Sequence, residues 1–238
     1  MSVVYAEPAL IERPDGAFGV ALDGKPLRTP AGTEIATRAR ALAEALVAEW
    51  RGRVARVKAP KIDYDKLPLT RIVGTALDRI PPKREAVLDE MLAHAETELL
   101  CFRAAEPPAL VERQVKIWQP LLDWLALSYD APLLVAHGSI VAPAQPASSL
   151  AALRKSLGAM DDLKLAGIGV AIAASGSLVV SLALADGRID AAGAFEAAEL
   201  DATFQIERWG EDSEATAKRA RTREELIVAQ RFFGLAQV

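Results

Sequence analysis

The sequence is poor in the residue types from which most reactive sites are built. Across 238 residues it has one cysteine, two histidines and 5% aromatic side chains. A single thiol, Cys101, excludes an intrachain disulfide and a thiolate-based zinc site. Its context, Glu98-Leu99-Leu100-Cys101-Phe102, reads as the buried face of a helix, where a free cysteine behaves as a small hydrophobe. The histidines, His94 and His137, form no His-x-x-x-His pair, and Cys-x-x-Cys is absent. No Gly-x-x-x-x-Gly-Lys-[Ser/Thr] phosphate loop and no Gly-x-Ser-x-Gly elbow occurs. Gly167-Ile168-Gly169 opens like a dinucleotide fingerprint, but Ile172 stands where the third glycine belongs. Close helix packing explains those glycines better.

Strong charge of one sign is also missing. With 32 acidic and 28 basic residues the net charge is −4, so the chain as a whole is not drawn to polyphosphate. Its most basic stretch, Arg51-Gly52-Arg53-Val54-Ala55-Arg56-Val57-Lys58, has Trp50 as its sole aromatic neighbour and reads as a solvated connection. Nucleic acid is therefore not an expected partner. The N-terminus, Met1 to Pro8, has neither a basic-then-apolar leader nor an Arg-rich transit pattern, and the expected compartment is a reducing cytoplasm. One apolar run, Leu163 to Ala185, is long enough to span a bilayer, but Ser175-Gly176-Ser177 interrupts it and aspartates bracket it. Two short buried helices, or a helix and a strand, are expected instead of stable membrane insertion.

What is present is organised around Leu22 to Ile80. Residues 1 to 32 read as β: Val3-Val4-Tyr5, then Ala17 to Leu22, then a hairpin through Asp23-Gly24-Lys25 into Pro26-Leu27-Arg28-Thr29. A helix follows, with Thr37 as its expected N-cap, Leu42, Leu46, Val47 and Trp50 on its apolar face, and Gly52 as its C-cap. The next helix carries Leu69, Ile72, Val73, Ala76 and Leu77 and stops at Ile80-Pro81-Pro82. Another is expected through Val87, Leu88, Met91, Leu92, Ala95 and Leu99, and another through Val111, Val115, Trp118, Leu122 and Leu125, kinked or split at Pro120. Val141 to Ser149 is the most linker-like stretch. The last third holds one long helix through Phe195, Leu200, Phe204 and Ile206, a break at Trp209-Gly210, and a closing helix through Phe233. The fold class is α+β: a small β-rich N-terminal domain over residues 1–60 that includes one helix, and a larger, mainly helical domain over 61–238.

Two stretches are candidate sites. Glu90, His94 and Glu98 fall at four-residue spacing and could line one helix face as a metal or acid–base site; more often such a trio is simply a solvated face. The stretch from Glu196 and Glu199 through Asp201, Phe204, Glu207, Trp209, Gly210, Glu211, Asp212 and Glu214 mixes carboxylates with aromatics. That composition suits a partner patch, in which aromatics supply contact area and carboxylates supply orientation and encounter rate. The plainer reading puts Phe204 and Trp209 in the core and leaves the acids as ordinary helix surface.

Four motifs in order carry a resemblance. They are Leu22-Asp23-Gly24-Lys25-Pro26-Leu27-Arg28-Thr29-Pro30, and Leu42 to Ala48 closing on Glu49-Trp50. Then come Leu67-Pro68-Leu69-Thr70-Arg71 with Thr75-Ala76-Leu77-Asp78, and Phe204-Gln205-Ile206-Glu207-Arg208-Trp209-Gly210. Together they resemble the assembly chaperones that attend the α subunit of the F1 sector of ATP synthase. The resemblance implies a non-enzymatic, cofactor-free protein of the bacterial cytoplasm that binds the unassembled α subunit and shields its interface until a β subunit replaces it; a monomer is expected. It also implies structural roles for Pro30, Trp50, Pro68, Trp209 and Gly210, and partner contacts from the acidic stretch with Leu67 and Thr70. The alternatives are a small-molecule enzyme built around His94 and an interaction module for another client.

Overall fold

The computed structural model describes residues 7–54, 64–210 and 213–237. The chain divides into two compact units, one of residues 1–84, 162–166 and 231–238, the other of 85–161 and 167–230. The expected boundary at 60/61 falls on residues outside the described set, and the helix after it belongs to the first unit.

The first unit is built on an antiparallel sheet. Strand β1 (Pro8–Glu12) pairs with β2 (Phe18–Leu22) in the register Pro8↔Leu22 to Glu12↔Phe18. On its other edge β2 meets β3 (Lys25–Pro26) and then β4 (Ala36–Thr37). The expected Val3–Tyr5 strand lies outside the described residues, and the partner of β2 is instead Pro8–Glu12. Asp23 and Gly24 both take positive φ, 50° and 73°, which is what a two-residue Asp-Gly hairpin needs.

Helix α1 (Arg40–Val54) packs on β1, β2 and β4 and buries Leu42, Ala43, Leu46 and Trp50. Its start differs from the expected cap. Thr37 ends β4 instead, and its hydroxyl accepts from the Ala39 N–H at 3.1 Å, holding the chain where it turns into the helix. Gly52 sits inside the last turn of the helix rather than after it, where one glycine carries only a modest propensity cost. Helix α2 (Pro68–Asp78) buries Leu69, Ile72, Val73 and Ala76 as the spacing predicts.

The second unit is helical. Its first helix, α3 (Arg84–Glu96), has Val87, Leu88, Met91, Leu92 and Ala95 on its buried face. It stops short of Leu99, which falls in a separate 3-10 turn, Leu99–Cys101, leading into β5 (Phe102–Arg103). Cys101 is buried, and burial pushes its thiol up to about 12. Helix α4 (Pro108–Tyr129) runs unbroken through Pro120. Proline is tolerated there because it is exposed, as is Lys116, whose carbonyl loses its helical partner and can turn to water. Val115 is exposed as well, not in the core.

After β6 (Ala136–His137), which pairs with β5, come α5 (Ala147–Gly158), α6 (Asp162–Ser175) and α7 (Leu178–Ala185). The apolar run thus forms two helices separated at Gly176, whose φ is 71°. No helix among the described residues is long and apolar enough to cross a membrane. Helix α7 is buried from Leu178 to Leu184 and packs against α4 and against α8 (Ala191–Ala198). The expected long helix through Ile206 is two, α8 and α9 (Leu200–Trp209), separated at Glu199. Gly210, with φ 83°, ends α9, and α10 (Ser213–Leu235) closes the chain.

Candidate client-binding surface

In the second unit, α9 is held by an interlocking set of side chains. Trp118 of α4 is buried, and its indole Nε1 donates to the Ala197 carbonyl at 2.8 Å. Gln114, also buried, donates from Nε2 to Asp201 at 2.8 Å while its Oε1 accepts from the Ala104 N–H at 2.9 Å. Arg113 grips Glu207 with both guanidinium nitrogens, each at 2.9 Å, and holds that carboxyl below its usual range. From α10, Arg219 meets Glu199 at 3.0 Å and Thr203 at 3.1 Å. Guanidinium groups also cover the aromatic rings. Arg208 lies 4.1 Å from the Phe204 ring centre and Arg223 lies 4.2 Å from that of Phe195.

Three acids of the stretch are therefore partnered in three dimensions, two by guanidinium groups and one by an amide. Glu199, Asp201 and Glu207 each have a partner inside the unit, so their first role is to fix α8, α9 and α10. Glu196 and Glu214 are exposed, while Glu211 and Asp212 lie outside the described residues. The two aromatics separate: Phe204 is core, but Trp209 is 77% exposed at the end of α9. Sequence reasoning missed Arg113, Gln114 and Arg219. No local signal marks them, because they lie on other helices.

Leu67 and Thr70 are buried in the first unit, which corrects their expected place on a contact surface. Thr70 is fully engaged. Its hydroxyl accepts from Trp50 Nε1 at 3.0 Å and donates to Glu49 at 2.6 Å. Glu49 also accepts from the N–H groups of Leu69 and Thr70, both at 2.9 Å. Pro68 opens α2, whose Leu67 N-cap supplies no side-chain bond, so Glu49 provides the cap from α1. The exposed Pro30 turn is tied to the far end of α2. Burial raises the Asp78 carboxyl, but hydrogen bonds from Thr29, Thr33 and the Ala31 N–H outweigh it and hold it low. Pro30, Ile35, Tyr64, Arg71 and Asp78 line a cleft of about 250 Å³. Three of the four sequence motifs thus converge on the two ends of one helix.

The Glu90, His94 and Glu98 trio is not assembled. Helix α3 ends at Glu96, and Glu98 turns inward to the N-terminus of α7. There it is wholly buried, accepting from Ser177 Oγ at 2.5 Å and from the N–H groups of Leu178 and Val179 at 3.0 and 3.2 Å. Burial pushes it up to about 7, although these donors and the Leu100 N–H pull the other way. Among the described residues no group of three His, Cys, Asp or Glu side chains could hold a metal ion.

Comparison with known proteins gives a consistent result. A family model described as "ATP12 chaperone protein" matches residues 3–126. The mitochondrial protein atp12 of Schizosaccharomyces pombe is 23% identical over 206 residues, which is 82% of this chain and 69% of that one. The crystal structure of Atp12 from Paracoccus denitrificans superposes with a TM-score of 0.89 at 34% identity, covering 98% of this chain and 97% of that one. A mutant of the same P. denitrificans protein gives 0.90 at 33% identity, covering 99% and 98%.

Proposed function

We propose, from the premise that this chain belongs to the ATP12 family of ATP synthase assembly chaperones, that its client is the unassembled α subunit of F1. The protein covers the interface that a β subunit later occupies. Until then that interface is an exposed apolar surface prone to association. Trp209 is the observation that carries the placement of the contact: a large aromatic left in water at the end of a helix whose Asp201 and Glu207 are bonded to α4. Exposed Glu196 and Glu214 lie on the flanking helices and supply steering without deep burial of charge.

In this reading the protein is a cytoplasmic monomer that catalyses no reaction and needs no cofactor, nucleic acid or membrane. A holdase must also leave, so its affinity for α lies below that of the finished α/β contact. Co-purification of the chain with isolated F1 α, with and without β, tests this. Capture that β reverses is expected; failure of the folded protein to retain freshly made α would overturn the proposal.

A further inference from the structure

We propose that the loop between β6 and α5, with Ile140 and Val141 at its tip, is a preformed docking knob for an uncharged apolar recess on the held F1 subunit. The inference rests on the chaperone reading above and adds a second contact, separate in sequence from α9.

Three observations meet on this loop. The first is composition: residues 131–153 contain no Asp, Glu, Lys or Arg, in a chain that is 25% charged. The second is exposure. Ile140 is 96% exposed, its neighbour Val141 71% and Leu134 51%. Surface loops normally carry polar and charged residues, whereas here two adjacent aliphatic side chains stand in water, so a partner that covers the tip removes apolar surface from solvent.

The third is the closed neck. A linker, as the stretch reads in sequence, would leave its backbone to solvent; here the neck is closed by specific bonds. Gln145 accepts from the Leu134 N–H at 2.8 Å and donates to the Leu134 carbonyl at 3.1 Å, pairing with that residue as a neighbouring strand would. Ser149 donates to the Pro132 carbonyl at 2.6 Å. On the rising side Ala136 and His137 pair with Phe102 and Arg103, and the Gly138 N–H extends the ladder to the Arg103 carbonyl at 2.8 Å. Gly138 is required: its φ is 63°, and a Cβ there would stand 3.0 Å from that of Ala105. Arg103 is itself buried, donating to the Leu100 carbonyl at 2.8 Å and lying over the Trp118 ring. At the tip the Ser139 hydroxyl accepts from the Val141 N–H at 3.0 Å.

Such a neck leaves less backbone ordering entropy to lose on binding than an open linker would. Its lack of charge also selects its partner. A strongly charged surface would be desolvated without compensation, so the complementary site is apolar and uncharged. Contact through the tip should therefore resist salt and act mainly on dissociation, unlike steering by carboxylates.

The test is capture of isolated F1 α by the full chain and by the double variant Ile140→Asp/Val141→Asp, at low and high salt. Both positions are exposed, so the variant should keep the wild-type circular dichroism and melting temperature. The expected result is dissociation from α at least about tenfold faster, which corresponds to about 1.4 kcal/mol, with the loss persisting in high salt. Ile140→Ser, which adds no charge, should show a smaller loss in the same direction, and so should Gln145→Ala, which opens the neck. Capture by the wild type with an unchanged rate for Ile140→Asp/Val141→Asp and Ile140→Ser would overturn the knob and leave the chaperone reading intact. No capture by the wild type would overturn both. Self-association, or binding to phosphatidylglycerol-containing vesicles, that the double variant abolishes while its capture of α is unchanged would assign the loop to a second copy or to a membrane, and would equally overturn it.

Discussion

The carboxylate of Glu49 caps α2 by accepting from both the main-chain N–H and the hydroxyl of Thr70, at 2.9 and 2.6 Å. It takes the Leu69 N–H as well, so one side chain of α1 satisfies three donors on the start of α2, where negative charge is also favoured by the helix dipole. The Glu-Trp and Leu-Pro-Leu-Thr motifs are thereby two halves of one joint.

Glu49→Ala should therefore destabilise the protein by about 2–3 kcal/mol, the cost of leaving part-buried donors unpaired. Urea unfolding measures this directly. A change below about 0.5 kcal/mol would mean that water replaces the carboxylate without loss.

Trp50→Arg is expected to be more severe. Trp50 is buried, and its indole donates to Thr70, so the substitution opens a cavity and forces a charge into it. Soluble protein with wild-type circular dichroism would contradict a structural role for Trp50.

Glu98 sets a pH dependence whose sign is fixed by burial. Its folded value, about 7, lies above the ordinary 4.5, so the folded state holds the proton more tightly. The associated stability is complete below pH 4.5 and is lost as pH rises toward 7, by at most about 3 kcal/mol. Glu98→Gln cannot ionise, but its amide would face the N–H groups of Leu178 and Val179. It should be less stable at low pH, with a flatter profile between pH 4.5 and 7. Parallel profiles for the two proteins would refute the assignment.

Charge reversals should separate into two kinds. Glu199→Lys breaks a pair with Arg219 in which the two side chains are only 15% and 17% exposed, and should cost about 2 kcal/mol or more. Glu214→Lys, at an exposed position, should change stability by less than about 0.5 kcal/mol and lower the rate of association with α, chiefly at low salt. Thermal melts beside association kinetics distinguish them.

Trp209→Ala removes a side chain already in water, so the melting temperature should barely move. Capture of F1 α should weaken by tenfold or more if the indole is an anchor. Undiminished capture would place the anchor elsewhere.

Much of the architecture is legible in the residues alone. The Asp23-Gly24 turn, the break at Ser175-Gly176-Ser177 and the buried faces of α2 and α3 all follow from local rules: turn chemistry, and apolar residues three and four apart. Where local rules failed, a longer-range contact had intervened. Thr37 was drawn into a strand by pairing with Phe18, and α3 stopped at Glu96 as Glu98 turned inward to Ser177.

By itself, then, the sequence determined most of the helices, the hairpin after β2 and the motifs that mark the family, because these are written in residues close along the chain. The tertiary structure alone decided what individual side chains do. Glu199, Asp201 and Glu207 read as an acidic patch until Arg219, Gln114 and Arg113 arrive from other helices. Glu98 reads as a helix-face acid until it meets a serine 79 positions away. A carboxylate's partner, and hence whether it serves stability or recognition, is set by chain segments brought together only on folding.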